Sequence, residues 1–256
     1  MQLSHHRGGS GEPVLLIHGV GSHWQVWKPV LGPLEREREV IAVDLPGFGE
    51  SATLPIGVVP NPAALADALV GFLDELGIER PLVGGNSLGG WLALELAKRG
   101  RARAVVALSP AGFFAPWEAT FSRLHLMSSW HGARMTALNE PLLRRPRGRV
   151  LALGGVMGRP KNMPAEDAVA QTRNLAASPG FEASLHALTR ERFRDAERVG
   201  VPVTLLWGTR DLVLFPWQAR RALRELPRAR LVPLPGAGHV PTWDDPETIV
   251  REILAA

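Results

Sequence analysis

Ser87 sits in the pentapeptide Gly85-Asn86-Ser87-Leu88-Gly89, between the short apolar run Pro81-Leu82-Val83-Gly84 and a segment, Leu88 to Gly100, with apolar residues at helical spacing. A G-x-S-x-G turn between a strand and a helix forces the serine into a strained backbone, and its glycines remove Cβ atoms that would clash. The serine then projects from the top of the sheet. The free N–H groups and partial positive charge at the start of the next helix favour a developing oxyanion. A serine hydroxyl is a weak nucleophile at neutral pH. It needs a base to take its proton, and the base needs an acid to fix its tautomer. Candidates follow in the order Ser, Asp, His: Asp211 in Trp207-Gly208-Thr209-Arg210-Asp211 and His239 in Gly236-Ala237-Gly238-His239-Val240. Singly, Asp211 also reads as a loop carboxylate flanking a helix, and His239 as a loop histidine. Together with Ser87 they make a nucleophile, a base and an orienting acid.

These residues need a scaffold that brings three distant loops to one edge. Six apolar runs supply it: Val14-Leu15-Leu16-Ile17-His18, Glu39 to Asp44, Leu82-Val83, Val105 to Leu108, Val203 to Trp207 and Arg230 to Leu234. Runs apolar on both faces suit strands covered by helices on both sides of a parallel sheet. Helical patterns lie between them. Ala63 to Leu76 places Leu65, Leu69, Phe72, Leu73 and Leu76 on one stripe and is stopped by Gly77; Pro216 to Leu226 ends before Pro227; Asp245-Pro246 opens a last helix. The alternation predicts an α/β fold with a doubly wound, mostly parallel sheet and right-handed crossovers. It fails between about Gly112 and Arg198, where helix-like segments, clearest over 167–177 and 183–193, are separated by Pro and Gly. That stretch reads as a helical cap over the C-terminal edge of the sheet, where ligands bind in open α/β folds.

Composition bounds the function classes. Apolar residues make up 45% and charged residues 21%, which suits a globular protein with a sizeable core. The formal net charge of +4 is small, and the high isoelectric point follows from the absence of Tyr and Cys rather than from an excess of cations. The basic residues are scattered except for Arg144-Arg145-Pro146-Arg147-Gly148-Arg149, which reads as a solvated loop; no nucleic-acid partner is expected. With no cysteine, disulfides, thiolate metal sites and a cysteine nucleophile are excluded. Met1 to Arg7 has no apolar signal-peptide core, and no apolar run has the length of a membrane span, so a cytoplasmic protein is expected. No dinucleotide glycine fingerprint follows the first strand and no metal-ligand cluster stands out, so neither cofactor nor metal is expected. Monomer and homodimer both stay open.

The chain resembles the α/β-hydrolase fold superfamily, in its serine-type, cap-bearing branch of bacterial esterase-like enzymes. The resemblance rests on Leu15-Leu16-Ile17-His18-Gly19, Asp44 to Ser51, Gly85-Asn86-Ser87-Leu88-Gly89-Gly90, Trp207 to Asp211 and Gly238-His239-Val240-Pro241. It implies a core of residues 1–111 and 199–256 and a helical cap of residues 112–198, inserted before the last two core strands. It also implies that Ser87 is the nucleophile, His239 the general base and Asp211 its orienting acid. The backbone N–H groups of Val20 and Leu88 then form the oxyanion hole, and His18 and Asp44 have structural roles. Haloalkane dehalogenases and epoxide hydrolases of this fold place Asp at the elbow, and Ser87 argues against both. The N-terminus departs from the pattern, because too few residues precede Val14 for the usual hairpin. Gln2 to Arg7 is expected at the sheet edge, with His5-His6 on a frayed strand rather than a metal.

Substrate clues are weaker. Apolar walls are expected from Phe113, Phe114 and Trp130 of the cap and from Trp24, Leu212, Val213 and Trp243 of the core. They suit a small-molecule ester with an apolar acyl or aryl group, cleaved through an acyl-enzyme. Trp243, four positions after His239, and the Gly-Asn-Ser elbow also resemble carbon–carbon bond hydrolases of vinylogous diketones from aromatic degradation, which bring an Arg toward the substrate carboxylate. A cofactor-free perhydrolase, with a small acyl pocket, and a ligand-binding receptor on the same fold are further alternatives.

Overall fold

The computed structural model describes residues 2–256, with the side chains of residues 136–138 excluded. A seven-stranded sheet runs in the order β1-β3-β2-β4-β5-β6-β7. Its strands are β1 (His5–Gly9), β2 (Pro13–Ile17), β3 (Glu39–Val43), β4 (Leu82–Asn86), β5 (Ala104–Leu108), β6 (Val203–Gly208) and β7 (Arg230–Leu234). All neighbours pair in parallel except β1, which lies antiparallel to β3. In β2, Leu15 and Ile17 join the core under one face while Val14 and Leu16 join the core under the other. Burial on both faces explains why this run is apolar throughout rather than alternating.

Helices cover both faces: α1 (Lys28–Glu35) and α10 (Pro246–Leu254) on one side, α2 (Pro62–Glu75) and α3 (Leu88–Lys98) on the other. Their starts are chemically specified. Asn61 caps α2 by accepting from the Ala64 N–H at 2.9 Å, and Asp245 caps α10 by accepting from the Thr248 N–H, each before a proline at the first helical position. A ninth segment, α9 (Gln218–Glu225), links β6 to β7.

The register gathers the loops. Ile17 lies opposite Gly85, Asn86 opposite Leu108, Leu108 opposite Leu206, and Gly208 opposite Leu234. Parallel strands ending level deliver the segments after β2, β4, β6 and β7 to one sheet edge.

The helical cap lies between β5 and β6, before the last two strands: α4 (Pro116–Ala133), α5 (Thr136–Leu143), α6 (Pro146–Leu153), α7 (Ala165–Ala177) and α8 (Phe181–Leu188). Phe113, Phe181, Leu185 and Phe193 share the main core cluster, while Leu143, Met157, Met163, Ala168 and Val169 form a small cluster of their own. The segment expected as a helix to Phe193 ends at Leu188; beyond it, Phe193 donates its N–H to Gly112 O and closes the insertion.

The edge strand corrects a second expectation. β1 pairs with β3 from His5–Val43 to Gly9–Glu39 and is not frayed. Strand alternation sends its two histidines to opposite faces: His5 packs edge-on against Phe72, whereas His6 stacks on Trp24 and bonds Glu35 at 2.5 Å.

Candidate active site

Ser87 holds φ 57° and ψ −115°, between the end of β4 and the start of α3. A non-glycine residue in this region costs on the order of 1–3 kcal/mol and persists only where its surroundings over-determine it. Here they do. The Ser87 N–H donates to Leu108 O at 2.9 Å, and its carbonyl accepts from Trp91 at 3.1 Å and Ala111 at 3.0 Å. The flanking glycines are required by contact rather than by φ: a Cβ on Gly85 would lie 2.1 Å from Gly89 O, and one on Gly89 would lie 2.1 Å from Ile17 O. The residue is 5% exposed.

Asp211 and His239 come together at the same sheet edge. His239 Nδ1 lies 2.9 Å from Asp211 Oδ2, with both residues buried. The other carboxylate oxygen of Asp211 accepts from the Val213 and Leu214 N–H groups at 2.9 and 2.8 Å. The carboxylate is therefore fixed on both oxygens, and its proton-free form favours the tautomer with hydrogen on Nδ1 and a lone pair on Nε2.

Two residues with no structural role assigned from the sequence hold the histidine loop. The Asn86 amide donates to His239 O at 2.9 Å and to Leu108 O at 3.1 Å. Asp244, buried after β7, accepts from Gly238 N–H at 2.8 Å and from Gly158 and Arg159 N–H at 2.8 and 2.7 Å. That carboxylate ties the His239 loop to the segment between α6 and α7. Both links join positions far apart in the chain, and no local pattern carries them.

The turn after β2 is braced as expected. The Leu45 N–H donates to His18 Nε2 at 3.0 Å, which leaves Nδ1–H to donate to Gly19 O at 2.7 Å. Burial lowers the pKa of His18, against a smaller opposing pull from Gly19 O and Asp44. Asp44 accepts from the N–H groups of Trp24 and Glu50. The turn brings Gly19 against the elbow: a Cβ there would sit 3.1 Å from Ser87 Cβ. Among the described residues, neither the Val20 nor the Leu88 N–H donates to a protein acceptor.

Ser87, Asn86, His239 and Val20 line one cavity of about 430 Å³. The cap contributes Leu126, Leu143, Leu153, Met157, Met163, Leu175 and Phe181, with His125, Ser129, Gln171 and Thr172 as polar points. No Arg or Lys is among its described lining residues.

None of the seven side chains expected to wall the pocket lines this cavity. Phe113 is fully buried against Phe193, and Phe114 is buried in the same core. Trp130 stacks on Phe181, Trp24 on His6, and Trp243 packs on the small cap cluster. Val213 is buried behind Asp211, and Leu212 is 49% exposed. The expected rings fill gaps between layers, so apart from Phe181 the apolar wall from the cap is aliphatic.

A family model described as "Alpha/beta hydrolase family" matches residues 14–252. The chain is 33% identical over 201 residues to "Epoxide hydrolase EphH" of Mycobacterium tuberculosis, covering 75% of this chain and 93% of that protein. It is 40% identical over 116 residues to "2-hydroxymuconate semialdehyde hydrolase" of Pseudomonas sp. strain CF600, covering 43% of this chain and 41% of that one. The structure of a thermophilic esterase from Thermogutta terrifontis superposes with a TM-score of 0.74 at 24% identity, over 99% of this chain and 92% of the other. At that identity the superposition speaks to the fold alone.

Proposed function

The chain belongs to the α/β hydrolase family, and we propose that it is a serine hydrolase cleaving small to medium apolar carboxylic esters. The observation that carries this reading is that His239, held 2.9 Å from Asp211, lines one cavity with a strained Ser87. His239 Nε2 takes the Ser87 proton as Oγ attacks the ester carbonyl. The N–H groups of Val20 and Leu88 receive the negative charge on the carbonyl oxygen, each donor being worth about 10²–10³ in rate. Collapse expels the alcohol, protonated by His239, and leaves an ester on Ser87. Water, deprotonated by the same Nε2, then releases the acid and restores Ser87. Residues 112–198 act as a cap domain whose aliphatic wall, including Leu143, Leu153 and Met163, holds the acyl group.

The similarity to an epoxide hydrolase meets a chemical obstacle. A carboxylate that opens an epoxide leaves an ester, which water can cleave. Ser87 opening one would leave an ether, with no carbonyl for water to attack. Local identity to a semialdehyde hydrolase favours the carbon–carbon reading as second choice. The absence of Arg and Lys from the described cavity lining weighs against it, because a keto-acid carboxylate would enter without a counter-charge.

The test is a series of p-nitrophenyl esters of graded acyl length with wild type and Ser87→Ala, plus fluorophosphonate labelling. Saturable turnover and labelling, both lost in Ser87→Ala, are expected. Labelling without ester turnover would redirect the reading to vinylogous diketones, and neither would end the serine-hydrolase reading.

A further inference from the structure

The outer face of α4 carries Trp117, Phe121 and Leu124, which are 59%, 41% and 66% exposed, at positions i, i+4 and i+7. A helix that packs one face on its own protein and keeps apolar residues on the other presents an unpartnered surface. Rings extend that surface toward the core: Phe215 lies 5.2 Å from Phe121 and 4.4 Å from Trp217, itself half exposed. They also lead inward. Phe121 stacks on His125, which lines the cavity, and Leu151 lines the same cavity while 77% exposed, marking its opening.

Charge is distributed to match. Residues 112–198 hold thirteen Lys and Arg against eight Asp and Glu, a net +5, whereas the rest of the chain carries a net −1. Arg144, Arg145 and Arg147 are exposed at the start of α6, beside Leu151, and Arg123 is exposed beside Leu124. None of the four has a carboxylate partner among the described residues.

We propose that this face docks the protein on an anionic lipid bilayer and turns the cavity mouth toward substrates dissolved there. Tryptophan and leucine enter the headgroup boundary while arginines meet lipid phosphates, each basic residue near the surface adding to the attraction. A second copy is a poorer occupant, because a two-fold contact would set the same arginine clusters against each other. No helix among the described residues is long and apolar enough to cross a membrane, so the association is peripheral. Docking does not depend on Ser87; only its use for substrate delivery rests on the hydrolase reading.

Co-sedimentation with vesicles of phosphatidylcholine, with and without phosphatidylglycerol, tests it. Wild type and Ser87→Ala should bind the anionic vesicles equally, roughly tenfold or more tighter than the neutral ones. The triple variant Arg144→Glu/Arg145→Glu/Arg147→Glu, and separately Trp117→Ser/Leu124→Ser, should lose binding by a similar factor at an unchanged melting temperature. If either variant melts early, the single substitutions Arg145→Glu and Trp117→Ser take its place. No binding to anionic vesicles, or equal binding by folded variants, overturns the proposal. So does a dimer in sedimentation equilibrium that Trp117→Ser dissolves, which would make a second copy the occupant.

Discussion

The side-chain amide of Asn86 donates to the backbone carbonyl of His239 at 2.9 Å, joining the residue before the elbow serine to the loop of the histidine. Its second hydrogen goes to Leu108 O, so both amide protons are used in a site where Asn86 is 3% exposed. Asn86→Ala takes the donor from the buried His239 O, and one of two donors from Leu108 O, which keeps the Ser87 N–H; it should cost about 1–3 kcal/mol of stability. It should also lower kcat on p-nitrophenyl esters more than it raises KM, because the histidine rather than the acyl pocket is released. Asn86→Asp, which sets oxygens against both carbonyls, should be worse on both counts. Full kcat in a folded Asn86→Ala would remove the positioning role.

Asp211→Asn separates geometry from tautomer. The amide oxygen can still accept from the Val213 and Leu214 N–H groups, so the melting temperature should stay close to wild type. The amide NH₂ then faces His239 Nδ1 and favours the tautomer with hydrogen on Nε2, which cannot take the serine proton. Ester turnover should fall by about 10⁴. A loss below tenfold would mean that another group orients His239.

The backbone strain at Ser87 is measurable without activity. Glycine at φ 57° and ψ −115° relieves what serine and alanine must bear. Glycine also loosens the unfolded chain, which offsets part of the gain. Ser87→Gly should still be more stable than Ser87→Ala by about 1 kcal/mol, with both inactive. Denaturant melts of the two variants decide it, and the reverse order would show that the elbow is not strained.

The parallel core was readable because strands buried on both faces must be continuously apolar, as β2 and β5 are. The order of Ser87, Asp211 and His239 was readable because Ser87 and Asp211 follow fully buried strands and His239 follows the partly apolar edge strand β7. The cavity wall was not. α4 carries apolar residues all around, so its periodicity does not say which face meets the protein, and Trp117 and Phe121 stay outside while Ala119 and Ser122 are buried. Which residues border a void depends on how the cap helices pack together, and size misleads there. Trp130 and Phe113 fill space that smaller side chains leave, whereas Leu153 and Met163 border the space left empty.

His23 predicts an acid-side loss of stability. Burial, then repulsion from neighbouring His18, pushes its pKa down from 6.5 to about 4; Lys28 adds to the fall, and Asp44 opposes it. The folded protein keeps this ring neutral, while the unfolded chain takes up a proton near pH 6.5. The unfolded state therefore binds more protons between pH 6.5 and 4, and stability should decline across that window by about 3 kcal/mol. His18 acts with the same sign. His23→Phe should flatten, without abolishing, the dependence of the unfolding free energy on pH. An unchanged slope would place the titrating group elsewhere.

Glu118 fastens the cap to the core, and its removal should show in the cap first. Its carboxylate, buried at the third position of α4, accepts from Arg221 at 2.6 and 3.1 Å, from Trp217 Nε1 at 2.6 Å and from the Ala115 N–H at 2.5 Å. Burial alone would raise its pKa, but these donors, Arg221 foremost, outweigh it and hold the pKa below the ordinary carboxylate value. A depressed folded pKa means stability present above the unfolded value and lost as pH falls through the folded one. Glu118→Ala leaves the Arg221 guanidinium with Phe113 O alone and the Trp217 indole N–H without its acceptor, and should cost about 1–3 kcal/mol. Arg221→Ala exposes the same deficit from the other side, and the double variant should be less destabilised than the two losses added together. Amide exchange read along the chain should lose protection in α4 before the β-sheet in Glu118→Ala. Uniform loss of protection would show that cap and core unfold as one unit and that Glu118 is no separate fastening.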